Sequence, residues 1–244
     1  MNIGGIMQRY FVEKNDDNIF ILSNDDSYHI TKVMRKDIGD KIEIVCDSKV
    51  YVSEIIELKP VVKAKMIEEV LTDSELFCQV TIVQSLVKEQ KMDYILQKTT
   101  ELGVSEIIPY EASRSLIKID HKQDKKIDRW QKIMKEASEQ SKRTHIPKIC
   151  SSINLSNLVK LSDYDMKFLC TVNETSQNLK KLLSKDLIDA KILFVIGPEG
   201  GFTPEEEQTL MDNDFIPVSL GSSVLRTETA SVFIMSVIRY LDMR

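Results

Sequence analysis

The chain has 244 residues, 42% of them hydrophobic, and a formal net charge of -5. That length and apolar content suffice to bury one large core or two unequal ones. No apolar run approaches the roughly 20 residues that cross a bilayer, and Met1 to Gln8 lacks the basic-then-apolar order of an export signal, which predicts a cytoplasmic protein.

The four cysteines, Cys46, Cys78, Cys150 and Cys170, show no CxxC spacing and most sit in apolar, strand-like surroundings, so they read as reduced core thiols. His29, His121 and His145 form no pair at ligand spacing, and no metal site is predicted.

From about Arg9 to Glu69 short β-patterned runs follow one another: Tyr10 to Val12, Ile19 to Leu22, Lys41 to Cys46, Lys49 to Ile56 and Val61 to Ile67. One helical piece, Tyr28 to Met34 after Asp25-Asp26-Ser27, interrupts them, and Asp47-Ser48 suits a hairpin turn. This pattern predicts a small β-barrel or β-sandwich domain over residues 1–72. After Leu71-Thr72-Asp73-Ser74 strands and helices alternate through residues 73–244: Val80 to Gln84, a helix to Leu102, Glu106 to Tyr110, a helix from about Lys125, Lys167 to Thr171, a helix near Leu179, and strands at Ile192 to Ile196 and Ile216 to Leu220. Such alternation implies α/β architecture with a largely parallel sheet. Helical stripes at Met92, Ile95, Leu96, Thr99 and Leu102, at Ile127, Trp130, Met134 and Ala137, and at Ala230, Phe233, Ile234, Val237, Ile238 and Leu241 supply the packing faces.

Charge is unevenly spread. Arg114 to Lys148 carries eleven Lys/Arg against five Asp/Glu, a basic segment in an acidic chain. It suits phosphate contacts or, equally, a solvated helix face.

The last two strands each run into a loop and then a helix. The first loop is Gly197-Pro198-Glu199-Gly200-Gly201, ahead of Thr203-Pro204-Glu205-Glu206, a helix start with Thr203 as N-cap and Glu206 closing a capping box. The second is Gly221-Ser222-Ser223-Val224-Leu225-Arg226-Thr227-Glu228-Thr229-Ala230. Strand-to-helix turns are where α/β sheets bind ligands. A Walker A loop is excluded because no Lys-Ser/Thr pair follows the glycines, and Glu199, Glu205, Glu206 and Glu207 would repel phosphate. None of the eight glycines forms a GxGxxG fingerprint. A neutral or cationic adenosyl ligand such as S-adenosylmethionine suits the loops better. Arg226 in a helix's first turn opposes the dipole, which disfavours a purely structural role.

GPEGG followed by an acidic helix start and LGxxxLRTETA resembles the bacterial 16S ribosomal RNA (uracil-N3)-methyltransferases of the SPOUT superfamily, commonly called RsmE. Arg9-Tyr10-Phe11-Val12, His29 to Arg35, Lys91-Met92-Asp93, Gln97 to Val104 and Glu136 to Ser141 are similar to further recurring segments of that family, so the likeness spans nearly the whole chain. It implies a PUA-like β-barrel that binds RNA, then a methyltransferase domain with a C-terminal trefoil knot, acting as a homodimer through the knot region on 16S RNA or the small ribosomal subunit. It implies S-adenosylmethionine as cofactor, held by Ile196, Gly197, Pro198, Glu199, Gly200, Gly201, Leu220, Gly221, Val224, Leu225, Arg226 and Thr227, with Thr171 at the preceding strand end. Arg226 is expected to stabilise charge on the uracil oxygens, and Glu228 to accept the N3 proton. Arg9, His29, Arg35, Lys88, Lys91, Arg114, Lys142 and Arg143 are the expected RNA contacts. Ser223 stands where members usually carry Arg, and Met7 matches the usual start, which leaves Met1 to Ile6 as an extension. Two other readings are a SPOUT enzyme acting on transfer RNA and a non-catalytic RNA-binding assembly factor.

Overall fold

A computed structural model describes residues 7–13, 15–115, 117, 123–173, 177–183 and 187–243. The expected N-terminal extension, His121, Lys118 and Lys122 lie outside the described residues.

The chain divides into two compact units, Met1–Glu75 with Ser138–His145, and Leu76–Ala137 with Ile146–Arg244. A single boundary at residue 72 therefore omits the return of Ser138–His145 to the first unit. Local pattern carries no signal for that return, because its causes are ion pairs between residues far apart in the chain.

In the first unit six strands form one curled sheet in the order β1(Arg9–Phe11), β4(Lys41–Cys46), β5(Lys49–Glu57), β6(Lys63–Val70), β3(Ile19–Ile21), β2(Asn15–Asp16), antiparallel except for β1 with β4. Cys46 pairs with Lys49 across a two-residue turn. Asp47 and Ser48 both take positive φ, 49° and 63°, as the tight hairpin turn that matches strand twist requires. Alternate residues Ile42, Ile44 and Ile55 join Tyr10, Phe20, Ile30 and Val62 in the core. The helical piece begins earlier than its sequence suggests. Ser23 caps α1(Asn24–Tyr28) by accepting from the Asp26 amide at 3.1 Å and donating to the Asp26 carboxylate at 2.7 Å. The chain then widens into a π-turn, His29–Val33.

The second unit is built on six parallel strands in the order β12(Ile216–Val218), β10(Met166–Cys170), β11(Lys191–Ile196), β7(Gln79–Ser85), β8(Glu106–Tyr110), β9(Lys148–Ile149). β11 is buried on both faces. Ile192, Phe194 and Ile196 pack into one cluster with residues of α2(Glu89–Glu101), α3(Gln123–Gln140), α5(Leu179–Leu182) and α7(Thr227–Asp242). Leu193 and Val195 enter another on the opposite face with Leu158 of α4(Leu155–Leu158) and Leu210 of α6(Pro204–Met211). A continuous apolar run is what a central parallel strand requires. Trp130 belongs to the first cluster and is buried, so it is core rather than a base-stacking platform.

From β7 the chain moves outward to β8 and β9, then crosses to β10, fills the gap with β11 and leaves to β12 on the other side. The order reverses between β7 and β11. The carboxyl end of β11 opens with that of β10 on a crevice beside this switch point, the preferred ligand position in open α/β sheets.

Candidate active site

The first loop is pinned at both ends. Thr203 accepts from the Glu206 amide at 3.2 Å and Glu206 returns the contact by accepting from the Thr203 amide at 2.9 Å, with Pro204 at the first helical position. The other oxygen of buried Glu206 accepts from the Tyr110 hydroxyl at 2.9 Å and the Ser113 amide at 2.8 Å. Burial alone would raise its carboxyl, but the Ser113 and Thr203 amides and the Tyr110 hydroxyl hold it below the ordinary value of 4.5. Because the folded value is depressed, the stability Glu206 contributes is present above 4.5 and lost as pH falls through the lower folded value. Glu206→Gln is expected to cost about 1–3 kcal/mol at neutral pH and to flatten the fall of the melting midpoint in acid. Thermal unfolding followed between about pH 3 and pH 7 checks this.

Gly197 has its own reason to be glycine. A Cβ there would stand 2.9 Å from the Phe202 ring, which folds back over the loop. Gly201 has φ 68° and Gly221 φ 127°, conformations that side chains rarely adopt, and a Cβ at either would meet nothing within 4 Å.

The two loops are tied to each other by a residue that sequence reading missed. Gln84, fully buried at the end of β7, donates from Nε2 to the Thr227 hydroxyl at 3.0 Å and accepts from the Ser231 hydroxyl at 2.5 Å. Thr227 in turn donates to the Gly197 carbonyl at 2.8 Å. One amide thus registers the second loop's helix against the first loop's backbone.

These elements enclose a cavity of about 780 Å³, a size suited to a nucleoside-containing ligand. Of the residues expected to hold the cofactor, Thr171, Ile196, Gly197, Pro198, Glu199, Gly200, Gly201, Leu220, Val224, Leu225, Arg226 and Thr227 line it. Gly221 does not; it shapes the turn beside the wall. Asn173, Phe202, Glu207 and Ala230 also line the cavity and were not foreseen. Glu207 accepts from the Thr171 hydroxyl at 2.5 Å and the Asn173 amide at 3.0 Å, an acceptor-rich edge. Cys170 sits among them, its thiol pushed up by burial.

The other edge is cationic. Lys88, Lys91 and Arg114 line the cavity, and Lys88 and Arg114 with Pro198 and Glu199 also border a small adjoining hollow. Arg114 donates to the carbonyls of Gly200 at 3.1 Å and Phe202 at 3.0 Å, clamping the glycine loop. Lys91 is hydrogen-bonded to Glu199 and stands 3.2 Å from Glu228 Oε1. The hydrogen bond to Glu199 first, then that to Glu228, raises the Lys91 ammonium above its ordinary value, and the same contact holds the Glu199 carboxyl low.

Arg226 occupies the N-cap position of α7 in extended conformation, makes no side-chain cap bond and is exposed where it lines the cavity. It stands one residue before the helical turn in which the sequence placed it. Glu228 departs from expectation. It is absent from the cavity wall, with Oε1 facing Lys91 and Oε2 buried without a hydrogen-bond partner among the described residues. From the second position of α7 its side chain reaches α2 rather than the cavity.

In the first unit, three expected RNA contacts are committed elsewhere. Arg9 is buried, with Nε on Glu43 at 2.9 Å and a terminal nitrogen on the carbonyls of Lys142 at 2.5 Å and Arg143 at 3.1 Å. Arg143 is buried against Glu75 at 2.6 Å. Lys142 Nζ donates to Glu43 at 2.9 Å and to the Met7 carbonyl. A buried guanidinium is costly unless paired, so Arg9 and Arg143 are structural cations that fasten Ser138–His145 to the first unit. Arg35 is exposed, and partly buried His29 shares a 3.0 Å hydrogen bond with the Tyr10 hydroxyl. Among the described residues no cluster of three or more His, Cys, Asp or Glu is placed to hold a metal ion, and no helix is long and apolar enough to cross a membrane.

Residues 74–239 match the family model described as an RNA methyltransferase domain. The ribosomal RNA small subunit methyltransferase E of Bacillus subtilis is 36% identical, covering 96% of each chain. That of Aquifex aeolicus is 31% identical over 95% of this chain and 99% of its own. The solved Neisseria gonorrhoeae ribosomal RNA small subunit methyltransferase E bound to S-adenosyl methionine superposes with a TM-score of 0.86 at 29% identity, covering 96% of this chain and 98% of that one. A putative methyltransferase of Legionella pneumophila, also with S-adenosylmethionine, gives 0.87 at 28% identity over 96% and 98%. With a parallel-sheet unit whose carboxyl edge carries the two loops, and likeness sustained over nearly its full length, the chain belongs to the ribosomal RNA small subunit methyltransferase E family.

Proposed function

We propose that this protein transfers a methyl group from S-adenosylmethionine to N3 of a uridine in the 16S RNA of the small ribosomal subunit, in the bacterial cytoplasm. The observation that carries the reading is the cavity beside the switch point, walled by both loops, with Arg226 on its rim. Its donor set fits the cofactor: Ile196, Leu220, Leu225 and Ala230 offer apolar walls for a purine, and Glu207 with Thr171 and Asn173 offers acceptors and donors for sugar hydroxyls. The cofactor supplies an electrophilic methyl group on a sulfonium. The chain's own residues hold the pyrimidine in line with it, and the Arg226 guanidinium stabilises negative charge that develops on the ring oxygens once N3 has lost its proton.

The family likeness supports a finer architecture, with a PUA-like barrel in the first unit and a trefoil knot made by the loops before α6 and α7. A homodimer through the knot region is supported by apolar side chains left uncovered on α7. Phe233, Leu241 and Tyr240 are exposed, Tyr240 by 73%, and such a stripe in solvent calls for a partner. The exposed surface around Tyr28, Lys32, Val33 and Arg35 joins aromatic and apolar side chains to cations, a combination that suits single-stranded RNA.

Mass-spectrometric mapping of small-subunit RNA from cells lacking this protein is the direct test. Loss of one N3-methyluridine, restored by the wild-type gene, is expected. An unchanged N3-methyluridine signal refutes the specificity.

A further inference from the structure

We propose that Lys91 is a catalytic residue: its ammonium stabilises the uracil anion formed when N3 loses its proton, and Glu199 and Glu228 are the two carboxylates that aim it. The inference rests on the uridine-N3 reading above and assigns the proton step within it.

Three observations carry it. Lys91 lines the cavity, while Glu228 stands behind it with one oxygen 3.2 Å from the ammonium and the other buried, so the cation is the nearer of the two groups to a base in the cavity. An ammonium has three donors; Glu199 and Glu228 engage two from different elements, the glycine loop and the start of α7. That leaves the third N–H for the cavity. Finally, Glu199 belongs to the first loop and Glu228 directly follows Arg226 and Thr227, which line the cavity, so the orientation of Lys91 is set by the segments that shape the cavity.

The charged groups about the cavity are the cations Lys88, Lys91, Arg114 and Arg226, the carboxylates Glu199 and Glu207 on its wall, and Glu228 of α7 behind Lys91. The cations outnumber the carboxylates, which favours an anionic ring. The N3 proton passes to solvent. The N3 lone pair then forms the bond to the methyl carbon while the carbon–sulfur bond breaks with its pair going to sulfur. The pyrimidine anion and the sulfonium both end neutral. No side chain needs to act as a base, because a cation beside the ring oxygens lowers the pH at which N3 ionises. The carboxylates raise the Lys91 ammonium above its ordinary value of 10.5, so it stays charged throughout the assay below.

The test is single-turnover methylation of small ribosomal subunits purified from cells lacking this protein, with radiolabelled S-adenosylmethionine, followed from about pH 7 to about pH 9.5. Lys91→Gln keeps a hydrogen-bond donor and removes the charge. It is expected to slow transfer about a hundredfold near neutral pH, with the deficit shrinking to under about tenfold at the alkaline end as N3 ionises unaided. Lys91→Arg is expected to recover most of the neutral rate. Calorimetry with S-adenosylmethionine alone is expected to show cofactor affinity within about threefold of wild type, as for a residue that acts on the base rather than the cofactor. A deficit that stays constant across the pH range, or a neutral rate unchanged in Lys91→Gln, overturns the proposal while leaving uridine-N3 methylation standing. Wild-type enzyme that methylates these subunits at another atom overturns the reading on which it rests.

Discussion

Arg226→Ala is expected to lower the single-turnover rate of methyl transfer by about 10²- to 10³-fold, the loss seen when one preorganised donor to a developing oxyanion is removed. Cofactor affinity should change by less than about tenfold, since Arg226 is one of many residues that line the cavity. The position makes this a clean substitution. Arg226 is the N-cap residue of α7 yet makes no side-chain cap bond, and it is exposed. Alanine is also a poor cap, so stability should stay within about 0.5 kcal/mol of wild type, as for ordinary surface changes. Rapid-quench measurement of transfer beside calorimetric titration of S-adenosylmethionine separates the two effects. Full rate with normal cofactor affinity would remove Arg226 from the mechanism.

Gln84→Leu tests the other half of the site, the registration of the two loops. The substitution keeps the volume roughly constant and removes both ends of the bridge between β7 and α7. Losing the buried hydrogen bonds of Gln84 to Thr227, Ser231 and the Ser85 carbonyl should destabilise the protein by about 2–4 kcal/mol. Cofactor binding is also expected to weaken, by about tenfold or more, because a misplaced loop loses several ligand contacts together. Thr227→Val removes the next link, the donation to the Gly197 carbonyl. If the three residues act as one unit, the double variant will be less impaired than the sum of the single ones by about 1–2 kcal/mol in cofactor binding. Additive losses would mean that Gln84 packs the sheet edge without setting the loops.

The site was legible in unequal parts. The capping box at Thr203 and Glu206 and the glycine loop before it lie within one stretch of ten residues, and their geometry is dictated by local sterics and amide satisfaction. Twelve of the thirteen residues expected to hold the cofactor line the cavity, because a strand end followed by a helix start has little freedom about where its loop goes. Gly221 differs because its positive φ shapes the turn, a role that the letter glycine cannot distinguish from ligand approach. Gln84 was invisible for another reason. It is one of several polar residues in the strand Gln79–Ser85, none of which stands out by pattern, and its partners Thr227 and Ser231 are more than 140 residues away.

The cations show the same limit. Arg9, Lys142 and Arg143 look like RNA contacts in a string of letters, since Lys142 and Arg143 lie in the basic segment and Arg9 in a stretch similar to the family's N-terminal RNA-binding domain. Their use was decided by Glu43 and Glu75, which meet them only after folding. The burial of Glu75 would itself raise its carboxyl, but the hydrogen bond and charge of Arg143 and the Thr144 amide hold it below the ordinary range. Lys91 moved in the opposite direction, from a general RNA contact to the cation between Glu199 of the first loop and Glu228 of α7.

Sequence alone determined the features written in neighbouring residues: strand and helix alternation, the hairpin turn at Asp47-Ser48, the two glycine-bearing loops with their helix starts, and through them the family. Tertiary structure alone decided which charges meet, and so which of them remain for a ligand. Hydrophobic periodicity and backbone sterics act over a few residues and are readable in order. Hydrogen bonds and ion pairs are short-ranged in space but have no range in sequence, so the partners of Gln84, Lys91 and Arg9 exist only once the sheet has brought them together.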